Sequence, residues 1–310
     1  MRLIKPKVEI INQEPGVEGL FKHMELCART CYKSEDKITE DSARKFINNV
    51  IVARGHTAML EHGTVYLRIP EKSVDGQCVY PAKGKYIAQK YSIANSRLEG
   101  IANNQYLVFY VTTNYRVLLQ NGWLDDLQYL CEPTEYHVRR ITVRFICDMG
   151  VAREFCRHRV FSFAQESTRY CNYSKAKFGK ELNCIIPCWY KNMFEGNSYN
   201  IELCHTYDLT ISEGLSRTEA AWIQAMCEAE STYFGLLTEG EPAQQARNVL
   251  PLALKTELIM TGTDEQWAGF FNLRCARDAH PQARELAIEL RDRMILAGYI
   301  NTYDPGSIQV

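Results

Sequence analysis

Apolar residues recur along this chain in two rhythms. In TEDSARKFINNVIVAR (39–54), Ala43, Phe46, Ile47, Val50 and Ile51 return every three to four residues, which predicts a helix with one buried face. Glu40 and Asp41 suit its positive N-terminal end, and Gly55 is placed to stop it. TVYLRIP (64–70) reads as a strand ended by Pro70, so GHTAMLEH (55–62) becomes a helix-to-strand connector carrying two histidines and a glutamate. In RITVRFICDMG (140–150), Ile141, Val143, Phe145 and Cys147 alternate with Thr142, Arg144 and Asp148, the period-two signature of a strand. LKTELIMTGT (254–263) reads as another strand.

The remaining strong segments are helical. VAREFCRHR (151–159) predicts a short helix, and 216–237 a long one opened by a capping box of Ser216 and Glu219. Pro242 in the first helical position starts PAQQARNVL, which Pro251 ends. Residues 264–276 and 281–298 predict two further helices, the second closed by Gly298. Residues 72–138 are less periodic and rich in Tyr, Asn and Gln, with a helix expected near 114–131; they read as an elaboration and not as a core element. Residues 178–213 read as irregular surface structure. Helices mixed with non-consecutive strands, without a regular βαβ alternation, indicate an α+β fold: helices around a central, mostly antiparallel sheet.

Composition narrows the chemistry. The chain has 310 residues, with 36 Lys+Arg against 37 Asp+Glu, so a formal net charge of −1 argues against an extended nucleic-acid or anionic membrane surface. Any anion site is then a local concentration of arginine. The N-terminal stretch lacks the apolar run of a secretory signal, and no run approaches the ~18 apolar residues of a membrane span, so a cytoplasmic protein is expected. There are 12 cysteines, but the pairs Cys27/Cys31 and Cys184/Cys188 lack partners at zinc spacing. They read as reduced structural thiols, and no metal site is expected. The phosphate-cradling loops G-x-G-x-x-G and G-x4-G-K-[ST] and the G-x-S-x-G nucleophile elbow are absent.

The local concentration is CRHRVFSFAQESTRY (156–170). On a helix running to Arg159, Arg153 and Arg157 stand four apart and repel, by a few tenths of a kcal/mol. Pairing with Glu154 or Glu166, or simple solvation, would account for them. An anionic ligand would too, since the planar guanidinium fork suits phosphate and Ser167 and Thr168 add hydroxyls. A second basic set comprises Arg247, in QQARNVLP, and Arg274, which follows the mostly apolar WAGFFNL and so needs a partner at the edge of the core. A Ser167–His158 hydrolytic pair finds no acid to orient the histidine.

Arg157-His158-Arg159, seven residues and then Ser167 resembles the RHR-x7-S signature of flavin-dependent thymidylate synthases, and continues as that family does with Arg169-Tyr170. RGHTAMLEH (54–62), QARNVLPLALKTEL (245–258) and FFNLRCARDAHPQAR (270–284) are similar, in the same order, to three further blocks of the family. Outside them lie about 76–135 and about 178–215, which read as insertions in a single domain spanning 1–310. The resemblance implies conversion of dUMP to dTMP, with methylenetetrahydrofolate as carbon donor, reducing equivalents from NADPH through FAD, and a homotetramer whose sites are shared between subunits. It places His56, Ala58, Arg157, His158, Arg159, Gln165, Thr263, Asp264, Glu265 and Gly269 near the flavin. It places Glu154, Phe155, Cys156, Arg157, Gln165, Glu166, Ser167, Thr168, Arg169, Arg247 and Arg274 near dUMP, with backbone donors of 166–168 on the phosphate and Arg274 as the activating residue. Ala58 replaces a common small hydroxyl residue. Thr263, Glu265 and Gly269 stand where other members often have Asn, Arg and Asn or His, leaving the backbone at 263–265 for flavin contact. The alternative is a nucleotide- or RNA-binding protein that uses the Arg cluster without flavin chemistry.

Overall fold

The two strands expected at 140–150 and 254–263 lie side by side in the middle of the main sheet. The computed structural model describes residues 1–70, 82–100 and 106–300, with the two short strands Ser73–Val74 and Gln77–Cys78 between the first two stretches. Its strands are β1 (Arg2–Ile4), β2 (Lys7–Ile11), β3 (Thr64–Pro70), β4 (Ser73–Val74), β5 (Gln77–Cys78), β6 (Ile93–Glu99), β7 (Tyr106–Asn114), β8 (Arg140–Asp148), β9 (Ser162–Gln165), β10 (Asn183–Ile185) and β11 (Lys255–Thr263). Its helices are α1 (Gly16–Tyr32), α2 (Ser42–Phe46), α3 (Ala82–Ile87), α4 (Tyr115–Asn121), α5 (Met149–Phe155), α6 (Ile201–Thr206), α7 (Leu209–Ser212), α8 (Arg217–Thr238), α9 (Ala243–Ala246), α10 (Asp264–Arg274) and α11 (Pro281–Leu296).

The main sheet has the order β2-β8-β11-β9 and is antiparallel throughout, with β8 and β11 in register from Lys255 opposite Asp148 to Thr263 opposite Arg140. Strict alternation sorts its faces. Val143, Phe145, Leu258 and Met260 point to one side and pack on Val151 and Phe155 of α5, Trp267, Phe270 and Phe271 of α10, and Leu286 and Leu290 of α11. Each such side chain contributes about 2 kcal/mol by leaving water. Trp267 is fully buried and donates its indole N–H to the Ile141 carbonyl at 3.1 Å, so its one polar group is satisfied.

The other face is partly polar. His23 of α1 bonds Thr142 at 3.1 Å, Thr142 bonds Thr261 at 2.8 Å, and Thr261 bonds His62 at 2.8 Å. Burial holds both imidazoles neutral, His23 down to about 4 and His62 down to about 3. The unfolded chain takes up protons near pH 6.5 whereas the folded one does not, so stability is complete above that pH and lost as pH falls. Urea unfolding at pH 5 should therefore give a stability lower than at pH 7.5 by roughly 2 kcal/mol for each of these histidines. Equal stabilities at the two pH values would contradict their neutrality.

Two smaller assemblies flank the main sheet. Antiparallel β3-β7-β6 covers α1 and α2 around Leu20, Met24, Ile47, Leu67, Phe109 and Val111. The parallel pair β1-β10 closes a third cluster with α8, whose capping box of Ser216 and Glu219 forms as expected.

Several expectations change. The segment 72–138 does supply core: β7 is the middle strand of its sheet, and Val108, Phe109, Tyr110 and Val111 are all buried. Both faces of β7 are covered, so no polar alternation marked it. The helix at 39–54 is α2 followed by a π-helical turn, Ile47–Val52, before Gly55 at φ +71°. The N-terminal β1, β2 and α1 were not anticipated, although Leu20, Phe21, Met24, Cys27 and Ala28 have helical spacing and are buried. The helix expected at 242–250 is the short α9, capped by Pro242, and a 3-10 turn, Arg247–Val249. Within 178–213, β10, α6 and α7 form, and Leu182, Cys184 and Leu209 are buried. Among the described residues no helix is long and apolar enough to cross a membrane, and no three His, Cys, Asp or Glu side chains gather where they could hold a metal ion.

Candidate active site

Helix α5 begins where Asp148 accepts the Val151 N–H at 2.7 Å, and its face of Val151, Ala152 and Phe155 is pinned to the core. It ends at Phe155, earlier than the sequence suggests, with Cys156 as its C-cap. Tight backbone bonds then fold the chain, from the Arg157 N–H to the Glu154 carbonyl (3.2 Å) and from the Phe161 N–H to the His158 carbonyl (3.1 Å). Arg157 therefore lies in a turn beyond the end of α5 and not within the helix itself. Arg153, Arg157 and Arg159 are all exposed, and none of them forms an ion pair among the described residues. Phe155, expected near substrate, is fully buried and faces the core.

The middle residue of the motif turns the other way. Arg274, at the end of α10, donates from Nε to His158 Nε2 (2.9 Å), from Nη1 to Glu154 Oε2 (2.7 Å) and from Nη2 to the Glu154 carbonyl (2.7 Å). The edge-of-core arginine thus finds its partner, and two of its five N–H groups remain for a ligand. Because His158 Nε2 accepts, its proton sits on Nδ1 when the ring is neutral. Burial, and then the charge of Arg274, push the His158 pKa down to about 4, so the ring is neutral at physiological pH. Phe270, 5.0 Å from the His158 ring centre, backs the imidazole.

Strand β9 carries the chain to the second polar group. Its four residues at about 3.3 Å each separate the His158 turn from the Ser167 turn by roughly 13 Å. The Ser167 turn is tied down by its own backbone. The Glu166 N–H donates to the Glu257 carbonyl (2.8 Å), the Ser167 N–H to the Cys31 carbonyl (3.1 Å), and the Tyr170 and Cys171 N–H groups to the Ser167 carbonyl (3.0 and 2.9 Å). Two of the three backbone donors expected for phosphate, those of 166 and 167, are therefore already used. Glu166 is also withdrawn from any ligand: it is 3% exposed and accepts from Lys255 Nζ (2.8 Å) and from the Tyr173 hydroxyl (3.2 Å). Gln165 reaches Thr256 Oγ1 at 3.3 Å. Thr168 and Arg169 form the tip, where Arg247 Nη1 lies 3.5 Å from Thr168 Oγ1. Arg153, Thr168, Arg247 and Asn248 line one cavity of about 310 Å³. Arg153, absent from the expected ligand set, is brought there by α5, whose first residue, Met149, donates its N–H to the Leu252 carbonyl (2.9 Å); its exposed charge was the available signal.

His56 joins this second group and is not in contact with the RHR turn. Its Nδ1 lies 2.6 Å from the Tyr32 hydroxyl, and Tyr32 packs against Tyr170 at 5.2 Å between ring centres. Ala58 is exposed on the same connector. On the other side, Arg159 and Phe161 open onto a cavity of about 620 Å³ that also meets Lys90, Tyr91, Arg140, Thr263 and Gln266. The backbone of 263–265 offers it little. The Thr263 N–H donates to Gln266 Oε1 (2.8 Å), the Asp264 N–H to the Arg139 carbonyl (3.2 Å), and the Glu265 N–H to Asp264 Oδ1 (2.9 Å). The first of these belongs to a Thr263–Gln266 capping box that starts α10. Glu265 and Gly269 are exposed on that helix.

A curated flavin-dependent thymidylate synthase of Geobacter sulfurreducens is 27% identical over 141 residues, covering 46% of this chain and 50% of its own length. One from Synechocystis is 25% identical over 151 residues, covering 49% of this chain and 64% of its own length. The matched stretch thus spans half to two-thirds of those relatives. A crystal structure of a UMP/dUMP methylase from Streptomyces cacaoi, bound with 5-Br dUMP, superposes with a TM-score of 0.40 at 14% identity, over 96% of this chain and 93% of that one. The family description "Thymidylate synthase complementing protein" matches residues 133–295, from before β8 to the end of α11. That stretch is more than half of the chain and includes both polar turns, Arg247 and Arg274, and by it this protein belongs to the thymidylate synthase complementing protein family.

Proposed function

We propose that this protein catalyses the FAD-dependent reductive methylation of dUMP to dTMP, with methylenetetrahydrofolate as carbon donor and NADPH as reductant, releasing tetrahydrofolate. The observation that carries the reading is the Arg274–His158–Glu154 clamp: it joins the RHR turn to the end of α10, two of the sequence blocks of the family, through one guanidinium. The residues present suit a flavin dinucleotide. Arg157 and Arg159 are exposed cations, and the cavity beside Arg159 combines positive charge with the flat rings of Phe161 and Tyr91. In this reading those groups, with His158, hold the flavin, while the N–H groups of 263–265 do not take part. A flavin held there would supply the reducing equivalents that come from NADPH.

The chain's own work is orientation and electrostatics. Ser167, Thr168, Arg169, Arg247 and Arg153 meet the dUMP phosphate. The free N–H groups of Arg274 face the uracil, and a fixed cation at that edge favours ionisation at N3 and raises electron density at C5. Held by Glu154 and His158, the guanidinium does not reorganise as that charge develops. No cysteine nucleophile is required. The reading includes a homotetramer in which neighbouring subunits complete each site, in the cytoplasm.

The purified protein should be yellow or become so with added FAD. Anaerobic NADPH oxidation with dUMP and methylenetetrahydrofolate should yield dTMP and tetrahydrofolate. A colourless protein that binds no FAD, or dihydrofolate as the folate product, would defeat the proposal.

A further inference from the structure

Beneath the Ser167 turn lies a chain of four charged side chains that the reaction does not itself use. Lys255 Nζ sits 2.8 Å from Glu166 Oε2 and 2.7 Å from Glu257 Oε1, and Lys33 Nζ sits 2.8 Å from that same Glu257 oxygen. Glu166 and Glu257 are 3% and 8% exposed. Burial works against ionising Glu257, but Lys255 and Lys33 outweigh it and hold its pKa down at about 2, so Glu257 stays ionised. Lys255 and Glu257 are two apart on β11 and so share one face of the sheet, the face toward α1. Lys33 is the C-cap of α1 and adopts φ +47°, a left-handed conformation unusual for lysine. Its carbonyl accepts from Lys177 Nζ at 2.7 Å, so side chain and backbone are both held.

Buried ion pairs of this kind add little net stability, because desolvation offsets their attraction; their attested use is to select one geometry over others. Here the geometry selected is that of one short stretch. The Glu166 carboxylate and N–H are both fastened to β11, and the Ser167 N–H to the last turn of α1, which leaves Thr168 and Arg169 as the tip facing Arg247. We propose that the Lys33–Glu257–Lys255–Glu166 chain is a positioning device for the phosphate of a nucleotide monophosphate, and that Lys255, which touches no ligand, sets the affinity for that phosphate by fixing the Ser167–Arg169 tip against Arg247. The inference rests on the phosphate reading of this turn given above.

Lys255→Met alone would leave the buried Glu166 carboxylate without a cation and risk unfolding, so the test is the double variant Lys255→Met/Glu166→Gln, which removes one cation with one anion and leaves Glu257 paired with Lys33. Calorimetric titration of the FAD-loaded proteins with dUMP and with deoxyuridine separates the phosphate from the rest of the ligand. The double variant should fold, keep its flavin spectrum, bind dUMP about tenfold more weakly and bind deoxyuridine within about twofold of wild type. Unchanged dUMP affinity would overturn the proposal. So would a parallel weakening of dUMP and deoxyuridine, or loss of flavin, which are the marks of a merely structural role. If the wild type itself shows no preference for dUMP over deoxyuridine, the phosphate reading of the turn fails, and this inference falls with it.

Discussion

Arg274→Ala is expected to lower turnover by about a thousandfold or more while FAD remains bound. Three effects combine. On the proposed mechanism, the substitution removes the cation that stabilises charge developing on the uracil. It leaves Glu154 without the partner that now sits 2.7 Å away. It also frees His158 Nε2, so the RHR turn loses its tie to α10. With the charge of Arg274 gone, one of the two influences that hold His158 near 4 disappears, and its pKa should rise toward 6.5. Titrating the His158 ring signal by NMR in wild type and variant follows that shift independently of turnover. Near-normal turnover would remove Arg274 from the mechanism. Lost turnover with an unmoved His158 pKa would refute the clamp but not the catalytic role.

Gly262→Ala should be the most damaging of the conservative changes near the site. Gly262 lies on β11 opposite Ile141, and a Cβ there would fall 2.5 Å from two carbons of the Phe161 ring and 2.9 Å from Gln266 Oε1. Phe161 has nowhere easy to go, since it packs 4.6 Å from the Trp267 ring centre inside the aromatic cluster. Gln266 is no freer, because its carbonyl closes the capping box of α10. Overpacking of this kind costs about 2 kcal/mol, equivalent to a thermal midpoint lower by about 3 °C. Phe161 and Gln266 both line the cavity that Arg159 enters, so FAD affinity should fall with the midpoint. Gly269→Ala is the internal comparison: nothing lies within 4 Å of its added carbon and it sits in a helix, so stability should hold or rise slightly. A Gly262→Ala midpoint equal to that of wild type would show that Phe161 yields more readily than this packing allows.

The sequence made the main sheet visible because β8 has only one face in the aromatic core, so period-two alternation survived at Ile141, Val143, Phe145 and Cys147. It hid β7 because that strand is covered on both sides. Ser216 and Glu219 announced their helix by a local rule that tertiary packing had no reason to override. The end of α5 is not legible for the opposite reason: residues 156–159 contain no helix breaker, and beyond the helix His158 meets Arg274, a contact 116 residues away in sequence. The same holds for the candidate ligand residues. Arg247, Thr168 and Arg274 could be singled out by type and spacing. That Glu166 is turned inward to Lys255, or that His56 belongs with Tyr32 and Tyr170, depends on long-range packing that one sequence does not display.

The four-residue β9 also constrains how this motif can vary. Its side chains alternate between the aromatic core (Phe163) and the α1 side (Ala164), so strand parity decides which way each flanking turn opens. Adding or removing one residue between Arg159 and Ser167 would exchange those faces and point the two turns to the wrong sides of the sheet. A change of two would preserve the faces but move the turns apart or together by about 7 Å. The seven-residue interval thus works as a molecular ruler with two graduations, one of length and one of handedness.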